Sequence, residues 1–222
     1  MKIRSKISIL LLAICQNGWA QGFINLNFEN AAITPVVPNY IYASNSISGW
    51  TAYLNGISQD GIFFDAVSAD GAIVCLEDTN ASRLGHTPLQ GTYSVLLEGA
   101  SDVFGNNPTA ASIGQTGRIP NTAESLTFYL GDLYGNFQVS FNGLPLSFTA
   151  ISNTLNYTIY GVDISSYAGQ IGQLLFTAPL QTDAMLDNIQ FSSLPIPEPT
   201  AFALGMLGVF ILGFHYRRNR PG

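Results

Sequence analysis

Residues 21–194 nowhere sustain the 3.6-residue apolar periodicity of a helix. Short apolar or alternating runs recur instead, separated by turn residues, as strands do. Strands are expected near residues 23–28, 50–54, 62–67, 72–76, 93–98, 125–130, 137–141, 157–160, 173–177 and 185–191. Between several of them lie Asn55-Gly56, Asp60-Gly61, Asp70-Gly71 and Asn142-Gly143, dipeptides that accept positive φ in tight hairpin turns. The pattern predicts an all-β fold, an antiparallel β-sandwich of the jelly-roll type over residues 21–194. That length is enough for one sizeable core. Trp50 and Cys75 fall within apolar runs and are read as core residues, Cys75 as a small buried hydrophobe.

The distribution of charge separates this body from its ends. Lys2, Arg4 and Lys6 stand at the start and Arg217, Arg218 and Arg220 at the finish. Between them, residues 21–200 contain only Arg83 and Arg118 against fourteen acids, a formal charge of 2 − 14 = −12. No basic face exists to neutralise phosphates, so nucleic acid is excluded as a partner.

Residues 1–20 read as a cleaved signal peptide. A positive start is followed by an apolar core over residues 7–14, then Gly18-Trp19-Ala20 supplies small residues before Gln21. Cys15 after Leu12-Ala13-Ile14 offers a lipoprotein alternative, but the bulky Ile14 argues against it. At the other end, residues 195–200 form a proline-rich neck that excludes helix. Residues 201–216 are apolar apart from His215, and as a helix would measure about 24 Å. This is short for a hydrocarbon core of roughly 30 Å, yet it suits a single transmembrane helix with flanking arginines. Residues 217–222 then form a basic tail on the cytoplasmic side, with the body outside the inner membrane.

Pro197-Glu198-Pro199, the short glycine-containing apolar segment and Arg217, Arg218 and Arg220 together resemble the PEP-CTERM sorting signal. The resemblance covers residues 196–222 and implies export, a single-pass inner-membrane intermediate and an exosortase-type transpeptidase as partner. It implies processing near the tripeptide and delivery to the cell envelope or extracellular matrix.

The body resembles the galactose-binding-like jelly rolls that include many carbohydrate-binding modules. The pieces are Asn27-Phe28-Glu29-Asn30, Ser48-Gly49-Trp50, Ser112-Ile113-Gly114-Gln115, the stretch from Val162 through Asp163 to Gln170, and Leu186-Asp187-Asn188-Ile189. In that family a structural calcium often joins the N-terminal strand region to the last strand. The resemblance carries this role to Glu29 and Asp187, with backbone carbonyls completing the shell, although no Asp-x-Asp-x-Asp-Gly loop is present. Tyr40 and Tyr42, following Pro35 and Pro38, are the candidate ligand-binding rings for polysaccharide.

Catalytic chemistry is thinly supplied. His86 is the body's one histidine and reads as a loop residue, and there is no Gly-x-Ser-x-Gly elbow, HExxH or Walker loop. Asp60, Asp65, Asp70, Glu77, Asp78 and Glu98 could pair as in a secreted glycoside hydrolase, but solvated surface acids explain them more simply. The expectation is a non-enzymatic structural or interaction protein, with a carbohydrate-binding module as the alternative.

Overall fold

The computed structural model describes residues 21–66, 71–101 and 107–196. The expected signal peptide over residues 1–20, Pro197-Glu198-Pro199, residues 201–216 and the terminal arginines lie outside these described residues. Among the described residues no helix is long and apolar enough to cross a membrane.

Sixteen strands form two facing sheets. They are β1 Pro35–Val37, β2 Tyr40–Tyr42, β3 Thr51–Leu54, β4 Ile57–Gln59, β5 Gly61–Phe64, β6 Ile73–Glu77, β7 Ser94–Ser101 and β8 Pro108–Thr109. There follow β9 Ala111–Arg118, β10 Ser125–Tyr134, β11 Gln138–Phe141, β12 Leu144–Leu146, β13 Thr149–Asn153, β14 Thr158–Asp163, β15 Ile171–Ala178 and β16 Thr182–Ser192. The large sheet runs β1-β2-β5-β6-β7-β16-β10-β14-β13, with β8 attached to β7, and the small sheet runs β12-β11-β15-β9-β3-β4. The all-β sandwich expected from the pattern is therefore present.

The interior is apolar and rich in aromatic rings. Phe176 touches Trp50, Phe128 and Phe137, joining the two sheets across the middle. Trp50 is 4% exposed and directs its indole N–H at the Asn25 carbonyl, 3.0 Å away. Cys75 is likewise buried, with a free thiol that burial pushes up.

Several local expectations need correction. Asn55 and Gly56 take positive φ between β3 and β4, as do Asn142 and Gly143 between β11 and β12. Asp60-Gly61 makes no such hairpin: the chain there passes from the small sheet to the large one. Gly61 is needed because the Tyr40 ring occupies the place of a Cβ. Residues 23–28 form no strand, since Asn25 and Phe28 adopt left-handed backbone. This segment instead crosses between the sheets: Leu26 accepts from the Ile189 N–H, and the Gln115 side chain pairs with both backbone groups of Ile24. The sheets are not wholly antiparallel either. β5 and β6 run parallel, with Phe63 beside Cys75 and Phe64 beside Leu76.

Candidate functional site

Strands β6, β7 and β16 alternate between two environments. Val74, Leu76, Val95, Leu97 and Leu186 face the main core, whereas Ile73, Cys75 and Leu96 form a second apolar cluster on the opposite face. Glu77 and Asp187 follow the outward alternation, yet both are enclosed, at 0% and 1% exposure. What covers them is the connection between β6 and β7, residues 78–93, which lies across the outer face as a strap.

Carboxylates fasten this strap at successive points. Asp65 Oδ1 accepts from the Asp78 N–H at 2.9 Å, where the strap begins. Glu77 Oε1 meets His86 Nδ1 at 3.0 Å. Asp187 Oδ2 accepts from the Gln90 N–H at 3.0 Å and the Ser94 hydroxyl at 2.9 Å, while Oδ1 takes the Asn188 N–H. Glu29 Oε1 accepts from the N–H groups of Thr92 and Tyr93 at 2.8 and 3.1 Å. Gly91 makes this last approach possible. Its φ is +65°, and a Cβ there would collide with the Glu29 carboxylate.

Burial governs the electrostatics. It pushes the Asp187 carboxyl up to about 7, against the stabilising donors of Ser94, Asn188 and Gln90. Glu77 is also raised by burial despite the His86 contact, and its Oε2 is buried without a hydrogen-bond partner among the described residues. Asp183, facing His86 from β16, is raised by burial as well. A carboxylate behind an imidazole can orient a general base. Here the fully enclosed Glu77 uses that contact to tie the strap to β6.

Glu29 and Asp187 both reach the end of the strap, at residues 90–94. Three of their four oxygens accept from N–H or O–H donors. The turn is a hydrogen-bond clamp. Asp65 and Glu77 are likewise not the solvated acids their polarity suggested. The available signal was the position of Glu77 at the end of the apolar run from Ile73 to Leu76.

The two candidate tyrosines lie on β2 rather than in a loop. Tyr40 is half-buried, donates to the Gly61 carbonyl at 3.0 Å and meets Phe63 edge to face, so its ring is committed to the sheet. Tyr42 is 45% exposed. It borders an open groove of about 460 Å³, shared with Ser44, Trp50, Ser58, Gln59 and Asp60. An exposed ring beside hydroxyl, amide and carboxyl groups can stack on one face of a polyol and hydrogen-bond its rim.

No protein-family model matches the sequence, and no curated protein matches it either. Among solved structures, the enzymatically active domain of tailspike protein 4 from bacteriophage CBA120 gives a TM-score of 0.38 at 14% identity. The match covers 75% of this chain and 21% of that one. A TM-score of this size does not establish a shared fold.

Proposed function

We propose that this chain is an exported, non-catalytic structural or interaction protein. Its β-sandwich is of the galactose-binding-like kind and is carried to the cell envelope by the C-terminal signal. One observation supports the non-catalytic part above others: the acids around the strap hold it to the sandwich. Asp65, Asp187 and Glu29 accept backbone donors, and Glu77 holds His86. The address segments support the rest, since six of the eight Lys+Arg residues flank the two terminal apolar stretches. Sorting is tested by replacing Pro197, Glu198 and Pro199 with alanine in a host that carries the transpeptidase. Full-length protein should then accumulate in the inner membrane, and normal trimming and release would refute the reading.

The Tyr42 groove favours a second reading, in which the sandwich retains polysaccharide. On a glycan array the full chain in detergent should bind one class of glycan saturably, and Tyr42→Ala should weaken that binding about tenfold, the loss of one stacking contact of roughly 1.4 kcal/mol. A blank array, or undiminished binding by the variant, removes the groove from consideration.

A further inference from the structure

Residues 21–196 contain one cysteine, Cys75, so the sandwich cannot fasten itself with a disulfide. The outer face of its large sheet holds another pair of side chains that can be joined covalently. On β10, Leu126, Phe128 and Leu130 enter the core, and Tyr129 points the other way, with Asp187 of β16 on one side and Ile159 of β14 on the other. Leu130 pairs with Thr158, so Tyr157 stands one step before β14, diagonal to Tyr129 and on the same face. The position directly opposite Tyr157 is Gly131, which offers no side chain, and Leu89 of the strap fills the space over it. The Tyr157 ring leans onto Tyr129 instead: the two centroids are 4.3 Å apart and the planes 9° from parallel. Rings stacked this closely have their carbons in van der Waals contact. Among the described residues, every other ring contact of a tyrosine is with phenylalanine. Both rings of the pair are half-buried, so solvent still reaches them.

We propose that Tyr129 and Tyr157 are an oxidative modification site, joined by a peroxidase-type one-electron oxidant into a carbon–carbon cross-link within one chain. Each phenol gives up one electron and one proton, and hydrogen peroxide, taking two of each, is reduced to two waters. The two phenoxyl radicals couple through ring carbons next to their hydroxyls, forming one C–C bond. The hydrogen on each coupled carbon then leaves as a proton while a proton returns to each oxygen, so both hydroxyls are restored. The chain loses two hydrogens in all. Stacking supplies what separate tyrosines lack, a radical partner already held in contact. The bond ties β10 to the turn at residues 154–157, which joins β13 to β14. β13 is exposed along its length and its one partner is β14, so the cross-link pins an edge of the large sheet. The inference goes beyond the function proposed above and does not depend on it, because the pair belongs to the sandwich itself.

The test treats purified full-length protein in detergent with a haem peroxidase and hydrogen peroxide, dilute enough to disfavour contact between chains. A photo-generated ruthenium oxidant with persulfate serves as a second, small oxidant that needs no docking. The monomer should gain dityrosine fluorescence and yield a cross-linked peptide joining Tyr129 to Tyr157, lighter by two hydrogens than its two parts. Tyr129→Phe and Tyr157→Phe keep the rings but remove a phenol, and each should abolish the monomer's dityrosine. Cross-linked wild type should melt several degrees higher than untreated protein, because a cross-link restricts the unfolded chain. Absence of dityrosine from the monomer with both oxidants overturns the site. So does dityrosine that persists in either phenylalanine variant, or that maps to exposed tyrosines such as Tyr42 and Tyr134. An unshifted melting temperature in the cross-linked protein overturns the restraint on the sheet edge.

Discussion

The space between the two sheets and the space beneath the strap are both closed to water, and they are filled differently. Between the sheets, Phe28, Phe128, Phe141 and Phe176 are completely buried and interlock with Trp50 and the aliphatic residues of both layers. Beneath the strap, a small apolar patch of Ile73, Cys75 and Leu96 adjoins Glu77 and Asp187, and the contacts that close the lid are hydrogen bonds to carboxylates. Apolar burial is non-directional and indifferent to protons. Carboxylate clamps are directional, and those at Glu77 and Asp187 carry a burial cost for their charge that changes with pH. One protein therefore has a core that should tolerate pH changes and a lid that should not.

The largest effect that would sharpen this contrast is in the core. Phe176→Ala removes the ring that joins Trp50, Phe128 and Phe137, and should cost about 3–5 kcal/mol in urea unfolding. The loss should be equal at pH 5 and pH 8. A cost that varies with pH would mean that the core and the clamped acids are coupled.

Asp187 should show the opposite behaviour. Its folded carboxyl is raised from 3.8 to about 7, so the native state binds a proton that the unfolded chain has released across this interval. The stabilisation is fully present below about pH 4 and is lost as pH rises toward 7, with a total on the order of a few kcal/mol. Glu77 and Asp183, both raised by burial, add to the same slope. Asp187→Asn keeps an acceptor for Gln90 and Ser94 but does not titrate, so stability measured from pH 4.5 to 8 should lose much of its slope. A variant with the wild-type pH profile would place the titration elsewhere.

The smallest expected effect concerns the clamp at Glu29 and Asp187. Because the turn presents N–H and O–H donors, chelator should leave the melting temperature unchanged at constant pH. A fall in chelator that calcium restores would show that the turn rearranges to offer oxygens, since a ligand bound only by the native state stabilises it.

Much of the architecture is legible in local sequence. Short apolar or alternating runs between turn residues locate β3, β6, β7, β10, β15 and β16. Asn55-Gly56 and Asn142-Gly143 specify hairpins because both residues of each pair tolerate left-handed backbone. β9 escapes this reading even though it lies between β15 and β3. Its stretch from Ala111 to Arg118 carries Gln115, Thr116 and two glycines, which interrupt the apolar pattern. Its neighbours explain the composition: Leu175 and Tyr53 crowd the space over Gly114, Phe23 crowds Gly117, and Gln115 serves as a partner for the backbone of Ile24.

The sequence alone determined that the body is a sheet protein with acids but no lysine, and that six of the eight Lys+Arg residues stand at its two ends. Those properties belong to each residue and its near neighbours. The tertiary structure decided that Glu77 and Asp187 are buried fasteners rather than surface acids, that Tyr40 packs while Tyr42 projects, and that Tyr157 stacks on Tyr129. Each of these depends on which distant segments the fold brings together. Ser94 and Asp187 are far apart in the chain, and the pairing of β7 with β16 makes them neighbours; Thr92 and Glu29 meet because the Leu26 carbonyl is tied to Ile189 of β16. Once there, whether a carboxylate meets water or an N–H group is a property of the site and not of the residue.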